Sequence, residues 1–166
     1  MPKIIKNREV VEDQWTTIDS PEQDLATTDD SANIIVELAY WLENKVSLIA
    51  RKGKVGVLLL GSDEPELFHQ ELDSIDLIAI NFPKFGDGRG YSIARLLCER
   101  YGYQQEIRAV GDVLRDQLRF MERCGFNAYA LRADRHIEEA LASFSAISVD
   151  YQSDVVEKKP IYNRRP

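Results

Sequence analysis

The sequence predicts an α/β fold, as a single domain of about five βα units around a mainly parallel sheet. Three observations predict it: short apolar runs recur along the chain, helical patterns lie between them, and glycines end several segments. This alternation is typical of parallel strands joined by right-handed crossovers. The spacing fits either an open doubly wound sheet or a partial TIM-barrel-like arrangement, and it leaves the strand order open.

Composition divides the chain into three regions. Residues 1–33 are predicted to form an N-terminal hairpin and an acidic linker, and they hold three basic residues against eight acidic ones. The α/β domain is expected over residues 34–152, where most of the thirteen arginines lie. Residues 153–166 are predicted to be a flexible basic tail, because they combine lysine, arginine and proline without apolar periodicity.

The first elements follow from local patterns. Ile4–Ile5 and Val10–Val11 flank Asn7–Arg8, which is expected to form a turn, and this pattern predicts a β-hairpin. From Ile34 the pattern becomes helical and is expected to end near Gly53. Apolar residues recur there at steps of three and four, and are expected to form one stripe: Ile35, Leu38, Ala39, Leu42, Val46 and Ile49.

The remaining elements alternate in order along the chain. Apolar runs bounded by glycine or turn residues predict five buried strands, at residues 55–60, 77–83, 106–111, 128–133 and 147–151. Helical patterns lie between them, at residues 65–72, 92–102, 112–125 and 135–144. In such a fold, functional groups gather in the loops after the carboxyl ends of the strands.

Composition also excludes several function classes. The chain carries a net charge of −7, which argues against a nucleic-acid binder. Its two cysteines form no CxxC motif, and no Cys/His cluster suggests a metal. No dinucleotide fingerprint, haem motif or iron–sulfur motif is present, so we expect no cofactor. No apolar run reaches the ~18 residues of a membrane span, and the first residues lack a signal-peptide pattern, so we expect a cytoplasmic protein.

The glycine-rich stretch at residues 81–92 is the first candidate site. It follows a predicted strand and leads into a helix, and it places three glycines within five residues. Glycine lets the backbone approach a ligand, and the free N–H groups of a helix start attract an anion. Its candidate ligand-binding residues are Lys84, Gly88, Arg89, Gly90 and Ser92. The alternative is a tight turn in which Asp87 caps the backbone and Arg89 pairs with a nearby carboxylate.

Two further stretches are expected at the same edge of the sheet. Arg108 lies on the third predicted strand, and Asp112 stands where a helix begins and could cap it. Arg132 and Asp134 follow the fourth strand in the same way. Together with Asp87 and Arg89 they would line either a polar pocket or a lattice of ion pairs. Asp87 and Asp112 are the candidate catalytic residues, since a carboxylate can act as an acid or a base.

Two long segments resemble the bacterial DUF934 family. The segments are FPKFGDGRGYSIARLLCERYGY and EIRAVGDVLRDQLRFMERCGFNAYALRAD. The likeness is densest from Leu77 to Asp134. The function of that family is unknown, although its members often carry the label of an oxidoreductase involved in sulfite reduction. The resemblance therefore implies a role in sulfur assimilation, with sulfite reductase or another enzyme of that route as a partner.

Three functions remain open at this point. The first is an accessory protein of assimilatory sulfite or sulfate reduction that binds the reductase or a small sulfur oxyanion. The second is an enzyme on a βα scaffold, acting on a small phosphate- or sulfate-bearing substrate with an aspartate as acid–base. The third is a structural module for protein interaction. The sequence does not decide whether the chain is an enzyme.

Overall fold

The computed structural model of the chain describes residues 2–84, 86–132, 136–145 and 154–160. Its strands are β1 (Lys3–Lys6), β2 (Glu9–Glu12), β3 (Trp15–Thr17), β4 (Asn33–Glu37), β5 (Val55–Leu59), β6 (Leu77–Phe82), β7 (Glu106–Gly111) and β8 (Ala128–Tyr129). Its α-helices are α1 (Pro21–Thr27), α2 (Leu38–Ile49), α3 (Arg89–Glu99), α4 (Leu118–Cys124) and α5 (Ile137–Ala140). Short 3₁₀ helices span Pro65–Leu67, His69–Ser74, Arg115–Gln117 and Leu141–Ser145.

The eight strands form one sheet in the order β2-β1-β8-β7-β6-β5-β4-β3. Strands β3 to β8 are parallel and lie next to their neighbours in the chain. The hairpin β1–β2 joins β8 in antiparallel orientation, so the sheet is only partly parallel. A doubly wound sheet would reverse its strand order in the middle. This order runs in one direction, as in a partial barrel.

The sheet is strongly curled, because its two edge strands are nearly continuous in the chain. Only Asp13 and Gln14 separate β2 from β3. The three Cα–Cα steps from Glu12 to Trp15 cover at most about 11 Å. A flat sheet of eight strands would hold its edges about 34 Å apart. One extended segment, residues 9–17, therefore pairs with β1 at its start and with β4 at its end.

The prediction of about five βα units was wrong in number. Strand β3 was missed because only Trp15 of its three residues is apolar, and β4 was missed because it runs directly into α2. The connection from β5 to β6 forms two 3₁₀ helices instead of the single helix expected. The strand predicted at residues 147–151 lies outside the described residues.

The two faces of the sheet are buried in different ways. Alternate residues of a strand point to opposite faces. On the face covered by the helices, Val57, Ile78 and Ile107 belong to the main core. The opposite face lies inside the curl and has its own small cluster, which contains Ile35, Leu77 and Ala79. Charged residues of β7 share this inner face.

Helix α2 turns only part of the predicted stripe to the core. Leu38, Trp41 and Leu48 are buried, whereas Val46 is 81% exposed and Ile49 is 50% exposed. The predicted stripe therefore faces partly outward. At 12 residues, α2 is the longest helix among the described residues, and none of the helices there has both the length and the apolar content needed to cross a membrane.

Candidate functional site at the carboxyl edge of the sheet

The loop from β6 to α3 is organised by one ion pair. The Arg89 guanidinium donates from Nε to Oδ1 of Asp87 over 3.0 Å and from Nη2 to Oδ2 over 2.8 Å. The backbone N–H of Arg89 also donates to Oδ1, at 3.2 Å. This carboxylate therefore meets both the first N–H of α3 and the side chain of the same residue. A bidentate pair of this kind fixes the arginine in one orientation.

Arg89 remains accessible despite this partner. Its side chain is 63% exposed, and that of Asp87 is 14% exposed. Nη1 of Arg89 donates to no group in the described part of the chain. Arg89 also packs against the loop after β5, where its Nε lies 2.9 Å from the place of a Cβ on Gly61. The loop thus presents a fixed, exposed cation whose charge is balanced by its neighbour.

The three glycines of the loop have different roles. A Cβ on Gly90 would lie 2.7 Å from Cζ of Phe82 and 3.0 Å from Cγ2 of Ile80. Gly90 is therefore needed for close packing of α3 on β6. Gly86 and Gly88 have open space around them, and Gly88 precedes α3 at a φ of −87°. The structure explains Gly90 by packing and leaves the other two positions free for close approach of a partner.

The pair also sets the charge state of Asp87. Hydrogen bonds from the side chain and the backbone of Arg89 lower the pKa of Asp87 to about 2. The carboxyl is therefore ionised at neutral pH and has little tendency to accept a proton. A general acid or base works best with a pKa near the working pH. The predicted acid–base role of Asp87 gains no support from this environment.

A second ion pair stands on the neighbouring loops. Oδ1 of Asp112 accepts from Nη1 of Arg132 at 3.0 Å, with the two side chains 27% and 43% exposed. The backbone N–H of Asp112 donates to the carbonyl of Phe82 over 2.7 Å, which joins this loop to the end of β6. Gly111 lies at a φ of +91°, with space for a Cβ blocked by Asn81 and Phe82. The carboxyl ends of β6, β7 and β8 are therefore held together.

The cap predicted for Asp112 was wrong. Helix α4 begins only at Leu118, after a 3₁₀ helix over Arg115–Gln117. The N–H of Leu114 is bound by the side chain of Gln117 at 3.1 Å. Asp112 instead turns its carboxylate to Arg132, which the sequence had associated with Asp134.

The position expected for Arg108 was also wrong. Arg108 is 2% exposed and lies in the middle of β7, on the inner face of the curled sheet. It donates to Asp13 at 2.9 and 3.0 Å and to Glu106 at 2.8 Å. Lys6 completes the cluster with a 2.7 Å contact to Glu106. The two cations of this cluster balance its two anions. The cluster connects the N-terminal hairpin, and the segment between β2 and β3 that contains Asp13, to β7.

Sequence reasoning missed three members of this cluster. Lys6, Asp13 and Glu106 carry no motif, and Asp13 is 95 residues from its partner in the chain. The alternation of β7 was a usable signal, since it puts residues 106, 108 and 110 on one face.

The other predicted site residues lie apart from the ion pairs or outside the described residues. Lys84 and Ser92 are exposed, Lys84 in the loop and Ser92 on α3. Asp134 falls outside the described ranges. Within those ranges, no three His, Cys, Asp or Glu side chains come together as a metal site would require. The predicted residues that the structure pairs at this edge are therefore Asp87 with Arg89 and Asp112 with Arg132.

Comparison with known proteins now identifies the family. No curated protein matches the chain. The model of a family described as "Bacterial protein of unknown function (DUF934)" matches residues 56–162, which include β6 to β8, all of β5 except its first residue, and both ion pairs of the edge. The hairpin and residues 33–55 lie outside the match. Because the match spans well over half of the chain, this protein belongs to the DUF934 family.

Proposed function

We propose that this chain is an accessory protein of assimilatory sulfite or sulfate reduction, and that it binds an anionic group of the reductase at the carboxyl edge. The observation that carries the proposal is the Asp87–Arg89 ion pair, which holds the arginine in one orientation while 63% of the Arg89 side chain stays exposed. Lys84 lies on the same loop, and the Asp112–Arg132 pair stands on the neighbouring loops. Phosphates, sulfur oxyanions and carboxylates offer the same oxygen acceptors to such a surface.

The contacts favour binding over catalysis. Asp87 stays ionised because its pKa is about 2, and Asp112 already binds Arg132 at 3.0 Å. Neither carboxylate is placed to move a proton on a substrate without first leaving its arginine. A surface of paired charges instead suits recognition, because complementary charges set partner choice and orientation.

The charge balance favours a protein surface over a free oxyanion. Each arginine of the edge is neutralised by an aspartate, so the edge adds little net attraction for a small anion in water. A protein partner can exclude water around Arg89 and use its remaining N–H donors, which strengthens those bonds. The resemblance to a family labelled for sulfite reduction supplies the identity of that partner.

Growth tests the proposal. A strain that lacks the gene should grow poorly with sulfate or sulfite as the sole sulfur source and normally with sulfide. Wild-type protein should restore growth, whereas Arg89→Ala should not. Arg8→Ala is the matched control, because Arg8 also makes a bidentate pair, with Glu122 at 2.8 Å, on a different surface. Normal growth of the deletion strain on sulfate would refute the assignment to sulfur assimilation.

A further inference from the structure

The outer layer of helices is incomplete beside α3. The connection from β5 to β6 forms only the 3₁₀ helices Pro65–Leu67 and His69–Ser74, although α2 and α3 on either side are full helices. Large apolar side chains on α2 and on this connection remain exposed. Four of the six large apolar side chains exposed among the described residues lie on α2 or on this connection: Val46, Ile49, Leu60 and Leu67.

A concave surface lies on α3, next to this connection. It is an open cavity of about 380 Å³ on the outer face of α3, with the half-buried Leu96 among its lining residues Ser92, Arg95, Leu96, Glu99 and Arg100. Arg100, at one end of the cavity, reaches Glu66 of the connection at 3.9 Å. Leu67, the next residue in the chain, is 62% exposed. An exposed apolar surface with a polar rim is typical of an interaction site.

The two sides of this surface carry opposite charge. The connection, residues 60–76, contains six acidic residues and neither lysine nor arginine. Beside the cavity, helix α3 and its C-cap carry Arg95 and Arg100 against Glu99, whereas Arg89 at the start of α3 is balanced by Asp87. A partner of one sign would be attracted by one side and repelled by the other. A second copy of the same surface, turned by a twofold axis, presents acidic against basic on both sides.

We propose that this protein forms a twofold dimer through the surface of α3 and the β5–β6 connection. Leu67 of one copy packs near the Leu96 cavity of the other, and Arg95 and Arg100 face the acidic connection of the partner copy. This interface is independent of the function proposed for the carboxyl edge. The self-complementary charge of this surface makes a second copy of the chain its partner, since charge acts mainly on partner choice and association rate.

Sedimentation velocity of the full chain over a wide concentration range tests the dimer. We expect a monomer–dimer equilibrium that weakens as salt rises, since exposed charges are screened. Leu67→Lys should raise the dissociation constant at least about tenfold, as loss of a central apolar contact does. Phe120→Lys is the control, because Phe120 is also half exposed but lies on α4, and it should leave the constant unchanged.

Charge reversal separates loss of the interface from loss of the fold. Arg100→Glu alone should weaken the dimer, and Arg100→Glu combined with Glu66→Arg should restore it. Circular dichroism melts confirm that each variant is folded. A wild-type protein that stays monomeric at every concentration, or a Leu67→Lys variant that associates as the wild type does, would overturn the proposal.

Discussion

Removal of the Asp13 carboxylate should destabilise the fold far more than removal of a similar carboxylate at the edge. Asp13 binds Arg108 at 2.9 and 3.0 Å, and the arginine side chain is 3% exposed. In Asp13→Ala, the buried Arg108 would share Glu106 with Lys6, which leaves two cations against one anion. Breaking a buried pair by removing one partner costs about 3–5 kcal/mol.

The Asp112–Arg132 pair is the matched control. Its distance, 3.0 Å, is nearly the same, but the side chains are 27% and 43% exposed. Exposed ion pairs contribute about 0–1 kcal/mol, so Asp112→Ala should leave the free energy of unfolding almost unchanged. The two variants share the same chemical change and differ in burial.

Urea unfolding followed by circular dichroism measures both variants. With a slope of ~2 kcal/mol per molar urea, Asp13→Ala should lower the midpoint by about 2 M, and Asp112→Ala by less than about 0.5 M. A combined Asp13→Ala and Arg108→Met variant should recover part of the loss, because no unpaired cation stays buried. If Asp13→Ala and Asp112→Ala shift the midpoint equally, the assignment of Arg108 to the fold is refuted.

Three further predictions concern the edge loop and the thiol beside α4. Gly90→Ala should be destabilising, since overpacking of about 1–3 kcal/mol outweighs a helix-propensity gain of at most ~1 kcal/mol, whereas Gly88→Ala should unfold at the same urea concentration as the wild type. In an NMR titration the Asp87 carboxyl should titrate at about 2 and at a higher pH in Arg89→Ala, where only the hydrogen bond from the backbone N–H of residue 89 remains; an unchanged midpoint would contradict the pair. Because the pKa of Asp87 is lower in the folded than in the unfolded state, the ionised carboxylate stabilises the fold. This stabilisation is complete above the unfolded pKa and is lost as the pH falls toward 2. Burial raises the pKa of Cys98 to about 11, and the nearby Glu99 and Cys124 contribute further. Cys98 should therefore react with a thiol reagent at pH 8 much more slowly than free cysteine.

The strands that could be predicted are those whose apolar character is local. Residues 55–60, 77–83 and 106–111 are apolar enough to identify β5, β6 and β7 from the sequence. The hairpin was also predicted correctly, and its turn places Asn7 and Arg8 at φ values of 50° and 64°. Such signals arise within a few residues, so one sequence carries them.

The features that could not be predicted depend on distant parts of the chain. The curl of the sheet results from pairing β3 with β4 while β2 pairs with β1, and no local pattern encodes that choice. The place of Arg108 depends on Asp13, far away in the chain. Val46 and Ile49 fitted a helical stripe, but they are exposed because α2 turns Trp41 and Leu48 to the core instead.

For the edge itself, the residue types were predictable and their partners only in part. The alternative that Arg89 pairs with a nearby carboxylate was in the sequence, since Asp87 is two residues away. The pairing of Arg132 with Asp112 instead of Asp134 could not be predicted, because it requires β7 and β8 to lie side by side.

Binding to sulfite reductase of the same organism tests the central claim most directly. Calorimetric titration of the reductase with wild-type protein should show saturable binding that weakens with salt. Arg89→Ala should raise the dissociation constant at least about tenfold, with a urea midpoint equal to that of the wild type, and Arg8→Ala should bind as the wild type does. Absence of binding by the wild-type protein, or equal affinity for the reductase in Arg89→Ala, would contradict the account.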